Sequence, residues 1–235
     1  MALPKLNDSP QYELTIPSTQ KTVRYRPYLI KEEKVMMIAM ESQDQKQILN
    51  AIADTIIACV EEPITKAQLT TFDVEYMFLQ IRAKSVGETV KLTLPCTSCE
   101  HKTEMSIRLD DITVNVPPKI ASVQLNDDIS IDLAYPNYLS MMKDDIVNTK
   151  SPTEQAFALI ADCISYVNMN DEKIKFSEES KAERNGFIES LNASQFNKIR
   201  EFVDSIPRMS KKVEWDCESC GHHNEITLEG ISDFF

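Results

Sequence analysis

Glycine is scarce. The 235 residues hold four, Gly87, Gly186, Gly221 and Gly230. None are clustered, so neither a P-loop nor a GxGxxG dinucleotide fingerprint can be written, since both need grouped glycines to let phosphate approach the backbone. Long apolar runs are also missing. The longest, Val35-Met36-Met37-Ile38-Ala39-Met40, spans six residues, far short of the roughly 20 a membrane helix needs. The opening MALPKLNDSPQYEL has no apolar h-region, so the expectation is a chain not routed by a signal peptide. Histidine is scarce too, at three residues, which leaves little for a general base, and no Ser/His/Asp set is readable. Basic charge is in deficit: 25 Lys and Arg against 37 Asp and Glu give a net charge of −12. That balance argues against binding phosphate backbones as the main task.

What is present is an ordinary globular balance, 42% hydrophobic and 26% charged residues. A chain of this size folded as one body buries about 72% of its unfolded surface, enough for a real core.

Alternation at Tyr12, Leu14 and Ile16, then at Val23 and Tyr25, predicts a hairpin over 1–28 with its turn at Ser18-Thr19-Gln20-Lys21. Residues 29–86 read as helical. Ser42-Gln43-Asp44-Gln45 has the form of a capping box with Ser42 as N-cap. Ile48, Ile52, Ile56 and Cys59 follow as a buried stripe. A third helix starts near Asp73 with Val74, Met77, Phe78 and Ile81 inward, and Gly87 ends it. Two strands flank Cys96-Thr97-Ser98-Cys99, and two more are expected at 119–125 and 129–135. Residues 136–206 read as helical again. Ser151-Pro152-Thr153-Glu154 opens one helix, with Phe157, Ile160, Ile164 and Val167 as its stripe. A polar connection over 170–185 leads to a last helix carrying Phe196, Ile199, Phe202, Val203 and Ile206. Strands at 211–215 and 224–228 enclose Cys217 and Cys220, and Phe234-Phe235 forms an apolar tail, read as a frayed end or a peg for a partner.

Two segments repeat. KLTLPCTSCEHKTEMSI and KVEWDCESCGHHNEITL align without a gap and share C-x-S-C-x-H-x-x-E between alternating strands. Each is a strand, a knuckle and a strand. Two such knuckles facing each other offer Cys96, Cys99, Cys217 and Cys220 to one tetrahedral ion, the arrangement of a zinc ribbon. In a reducing compartment, C-x-x-C is more often a metal or redox motif than a disulfide. A thioredoxin-like redox pair needs C-x-x-C opening a helix, and strands flank both pairs here. Four thiols left free in a relic of a ribbon are the bland alternative. Zn2+ on four thiolates adds on the order of 10 kcal/mol of folding free energy in isolated modules. It would also close a loop of about 117 residues between Cys99 and Cys217, which is entropically costly without a clamp.

His101 and His222 sit at matched positions and read as knuckle residues beside a full ligand set rather than as ligands. His223 is expected to face solvent. Cys59 and Cys163 fall on apolar stripes and read as core thiols. Trp215 is expected to pack over the ribbon. Met36, Met37, Met40, Met141 and Met142 read as core packing, with adaptable partner docking as the sharper alternative. The acidic pairs Asp127-Asp128, Asp144-Asp145 and Glu178-Glu179 lack calcium-loop spacing.

The fold class expected is α+β: an N-terminal hairpin and helical region (1–87), the first half of a zinc ribbon (88–116), an inserted hairpin and helical region (117–210), and the second half of the ribbon with its tail (211–235). The stretches RPYLIKEEK and FDVEYMFLQIRAKSVGE, within MALPKLNDSPQYELTIPSTQKTVRYRPYLIKEEKVMMIAMES and TFDVEYMFLQIRAKSVGETV, resemble the T4-type bacteriophage baseplate protein family. The resemblance is strongest over roughly residues 1–115 and continues in register to the end. It implies a non-enzymatic, structural or chaperone-like part in building the baseplate hub of a contractile tail. It also implies other hub or tail proteins as partners and the host bacterial cytoplasm during assembly, and it leaves both outcomes open afterwards, a place in the virion tail baseplate or departure once assembly is done. The short apolar runs carry the expectation of no membrane. The family is not described by an active site, so the metal reading rests on this sequence alone. Two rivals stand beside it: a nucleic-acid-binding zinc ribbon of a phage transcription accessory protein, and an enzyme assembled from scattered carboxylates.

Overall fold

The computed structural model describes residues 9–114, 116, 122–143, 146, 151–170 and 172–234. The chain is a mixture of helices and small antiparallel sheets, an α+β protein. It divides into two compact units. The first comprises Met1–Lys66, Phe72–Val116 and Arg208–Phe235, and the second Ala67–Thr71 and Pro117–Pro207.

In the first unit, β1 (Tyr12–Thr15) pairs with β2 (Thr22–Tyr25), matching Tyr12 with Tyr25 and Leu14 with Val23. Leu14, Ile16, Val23 and Tyr25 are buried, as their alternation requires. The turn is fastened from outside. The Ser18 N–H and hydroxyl donate to the Asp73 carboxylate at 2.8 and 2.6 Å, and both residues are buried.

Helix α1 (Ile30–Glu41) begins where the Glu32 carboxylate accepts the Leu29 N–H at 2.8 Å and the Arg26 guanidinium at 2.8 Å. Burial opposes the Glu32 charge, but the bonds from Arg26, Leu29 and Lys31 outweigh it and hold the carboxyl below its ordinary value. The expected Ser42 cap of the next helix is corrected. Asp44 is the N-cap of α2 (Gln45–Cys59), accepting from the Lys46 and Gln47 N–H groups. Ser42 instead closes α1 by donating to the Ala39 carbonyl at 2.6 Å. Gln43 lies between them at φ 55°, and that left-handed step aims the Asp44 carboxylate at the next helix start. The stripe Ile52, Ile56 and Cys59 is buried. Helix α3 (Thr71–Ser85) starts two residues before Asp73 and buries Phe72 and Leu79 as well as the expected face. Of the methionines read as core, Met36 is buried, while Met37 and Met40 are more than half exposed.

Two longer hairpins complete this unit: β3 (Thr89–Pro95) with β4 (Lys102–Arg108), and β9 (Ser210–Asp216) with β10 (His223–Glu229). Their inward side chains Leu94, Ile107, Val213, Trp215 and Leu228 share a core with Leu79 and Ala83 of α3 and with Phe234. Phe234 is fully buried, so it is neither a frayed end nor an exposed peg. Phe235 lies outside the described residues.

The second unit holds a four-stranded antiparallel sheet in the order β5 (Ser122–Gln124), β6 (Ile129–Leu133), β7 (Ile164–Met169), β8 (Glu172–Lys175). Around it lie α4 (Pro152–Cys163), α5 (Lys181–Glu189) and α6 (Ala193–Asp204). Ile131, Leu133, Ile160, Cys163, Ile199 and Phe202 form its core. Ser151 caps α4 through the Glu154 N–H, with Pro152 in the first turn, as expected. The stripe predicted through Val167 is corrected: the helix stops at Cys163 and Ile164 begins a strand. Spacings of four and three fit a helix, but they also fit a strand whose register shifts between Asp132 and Leu133 of its neighbour. Pairing with β6 and β8 then settles the competition through bonds that local pattern cannot reveal. Phe157 is exposed and lies 5.5 Å from Phe196, centroid to centroid. The polar stretch read as a connection contains β8 and the start of α5, whose N-terminus carries a Ser180/Glu183 capping box. The expected strand start at 119–121, and Asp144-Asp145, lie outside the described residues.

Candidate metal centre

Each long hairpin is a seven-residue ladder ending in a six-residue knuckle, and the two are built alike. Pro95 pairs with Lys102, and Asp216 with His223. In the first knuckle the Cys96 N–H donates to the His101 carbonyl at 2.8 Å and the Glu100 N–H to the Cys96 carbonyl at 3.0 Å; in the second, Cys217 to His222 at 2.9 Å and Gly221 to Cys217 at 2.8 Å. The residue after each second cysteine must turn left-handed: Glu100 stands at φ 59° and Gly221 at φ 68°. Glycine adopts that geometry freely, glutamate at a cost.

These knuckles bring the four cysteine sulfurs within 4.8 Å of one another. Cys96 Sγ is 3.8 Å from Cys220 Sγ, and Cys99 Sγ is 3.6 Å from Cys217 Sγ. A disulfide needs about 2.05 Å, so the six cysteines are free thiols. A tetrahedron with Zn–S bonds of about 2.3 Å has edges of about 3.8 Å, and the observed separations fit it. Cys96 and Cys217 are buried, while Cys99 and Cys220 lie at the surface.

Electrostatics within the cluster are uneven. Burial opposes a thiolate on Cys96, but N–H groups of Ser98 and Cys99, the Asn224 side chain and Cys217 favour it, and its pKa falls to about 6. The His222 N–H favours a thiolate on Cys220, yet Cys99, burial, Cys217 and Cys96 push it up to about 12. The protein alone therefore favours a thiolate at Cys96 and disfavours one at Cys220, and a divalent cation would relieve that conflict.

Asn224 is the residue that sequence reasoning missed. It is 1% exposed. Its Oδ1 accepts from both the N–H and the hydroxyl of Thr97 at 2.9 Å, and its Nδ2 donates to the His222 carbonyl at 2.9 Å. One side chain of the late hairpin thus ties down the knuckle of the early one. The matched residue, Thr103, makes no equivalent bond, and its buried hydroxyl lacks a partner. This is the point where the repeat breaks from Thr to Asn, which is the only trace it leaves in the sequence.

His101 and His222 are exposed, supply knuckle carbonyls, and do not belong to the four-ligand group. His223 is exposed and shares a 2.8 Å bond with Asp216, which raises its pKa. Trp215 is buried in the core beneath the hairpins, with its Nε1 unpartnered. Cys59 and Cys163 are buried elsewhere, and burial pushes their thiols up to about 11 and about 12.

Fold and site together define an α+β protein whose early and late hairpins meet at four thiols able to hold a metal ion. The family model of the T4 bacteriophage base plate protein matches residues 9–235. The chain belongs to that family, and membership gives it a structural role in a bacteriophage baseplate, among other tail or baseplate proteins. No curated protein and no solved structure matches it. Among the described residues no helix is long and apolar enough to cross a membrane.

Proposed function

We propose that Cys96, Cys99, Cys217 and Cys220 hold one Zn2+ as four thiolates, and that the chain is a structural or chaperone-like component in assembly of the baseplate hub. The observation that carries the zinc reading is the spacing of the sulfurs, which matches the edges of a thiolate tetrahedron. Four protein ligands leave no open position for water, so the ion would fasten the two hairpins together and activate nothing. The hairpins act as the two halves of a ribbon, at 88–116 and 211–235, around an insert at 117–210. Family membership supports a non-enzymatic role acting through protein contacts, in the host cytoplasm during assembly and then in the tail.

The nucleic-acid reading finds less support. On the exposed side of the late hairpin, Lys212 pairs with Glu214 and Glu225 at 2.7 and 2.9 Å. On the early hairpin, Lys91 lies 4.0 Å from Glu104, and Arg108 3.6 Å from Asp110. Basic groups are answered locally by carboxylates rather than gathered for phosphate.

Metal analysis of the purified chain tests the clamp, with about one zinc per chain expected; a purified, folded protein without metal overturns it. Affinity capture from infected cells tests the hub assignment: recovery of central hub proteins supports it, and recovery of peripheral baseplate proteins alone refutes it.

A further inference from the structure

Helix α1 buries only one side. At about 100° per residue, Glu32, Met36 and Ala39 point one way, and these are its buried residues. The opposite direction carries Ile30, Lys34, Met37, Ile38 and Glu41. Ile30 is 77% exposed, Met37 56% and Ile38 55%, with Val35 and Met40 exposed on the flanks. A grouping of large apolar side chains on one short surface helix is the kind of patch that marks an interaction site.

The arrangement around that patch identifies what fits it. Halfway between Met37 and Ile38, the outer face has a centre of approximate charge symmetry. Lys34 precedes that centre by the same number of residues as Glu41 follows it, and both point outward. Val35 and Met40 are related in the same way. Among the described residues neither Lys34 nor Glu41 is in an ion pair, whereas Lys31 is held by Glu32 at 3.3 Å. Two antiparallel copies of such a face match apolar to apolar and cation to anion, as an isologous contact demands.

We propose that the outer face of α1 docks on α1 of a second copy of this chain, antiparallel about a two-fold axis between Met37 and Ile38, with Lys34 of each chain against Glu41 of the other. The 12-residue helix offers less than the roughly 800 Å2 per partner of a standard interface. The expected dissociation constant is therefore on the order of 10–100 μM, in the range of transient contacts. The inference is independent of the metal reading.

Sedimentation equilibrium of the full chain, up to about 500 μM so as to exceed that range, tests it. The wild type is expected to dimerise. Lys34→Glu and Glu41→Lys each place two like-charge contacts in the pair and should weaken it at least tenfold. An equimolar mixture of these two variants restores both attractions and should dimerise like the wild type, as should the double variant carrying both changes. Both positions are exposed, and unchanged melting curves would show that the variants fold. Met37→Ser with Ile38→Ser should abolish association by removing the apolar centre. A wild type monomeric throughout, single variants that pair as well as the wild type, a mixture that stays monomeric, or association only with anionic lipid vesicles would each overturn the proposal.

Discussion

Replacing Asn224 by alanine probes the joint between the two hairpins most directly. The substitution removes three hydrogen bonds, two to Thr97 and one to the His222 carbonyl. Net contributions of about 1 kcal/mol per bond give about 3 kcal/mol. The exposed surroundings of Thr97 let water replace part of this, while the space left by a buried side chain adds to it. The expected loss is therefore about 2–3 kcal/mol. Urea unfolding followed by the fluorescence of Trp215, the single tryptophan, reads it out. The Thr97→Ala variant removes one of the bonds, and a double-mutant cycle with Asn224→Ala should return a coupling of about 1 kcal/mol. Asn224→Asp keeps the acceptor for Thr97 but loses the donor to His222 and brings a negative charge to the thiols, so it should be no better than alanine. If Asn224→Ala unfolds within about 0.5 kcal/mol of the wild type, the range of an ordinary surface change, the reasoning that this side chain joins the knuckles fails.

Three further outcomes follow from the geometry. Glu100→Gly should raise stability by about 0.5–1 kcal/mol, because glycine takes the left-handed step without the cost glutamate incurs, and Gly221→Glu should lower it by a similar amount; paired thermal melts measure both. Glu32 titrates below its ordinary value, so its stabilisation is complete above the unfolded-state pKa and disappears as pH falls through the lower folded value. The acid limb of stability from about pH 5 downward should accordingly flatten in Glu32→Gln, which also loses stability at neutral pH. Glu75 shows the opposite sign. Burial raises its pKa, against a hydrogen bond from the Met209 N–H and the charge of Arg208. Its folded state prefers the proton, so its contribution fades as pH rises through the folded pKa, and Glu75→Gln should gain relative to wild type at pH 7 but not at pH 4 in urea titrations.

The sulfur cluster was legible in the sequence because knuckles leave a complete local record: two cysteines with two residues between them, a serine just before the second, and alternating residues on both sides. The same holds for the Asp73 helix and the Ser151 cap, whose signals are local. What escaped depends on distant partners. Ile164 and Val167 carry a spacing that suits either a helix or a bulged strand, and only pairing with Ile129–Leu133 decides. Ser42 and Asp44 are both competent caps, and the turn at Gln43 selects between them. Met37 and Met40 have the composition of a core but stand on a helix whose inner side is already filled by Met36 and Ala39. Asn224 looks like an ordinary polar strand residue until the opposite knuckle lies beside it.

The 118 positions separating Cys99 from Cys217 also set a clock on biosynthesis. At about 5–20 residues per second, the first two thiols wait roughly 6–24 s for the second two to be made. During that interval Leu94 and Ile107 lack Trp215 and Leu228 against which to pack. The nascent chain must carry the early hairpin, complete in its own two strands but with apolar side chains uncovered and two sulfurs without their counterparts, through the whole of that delay.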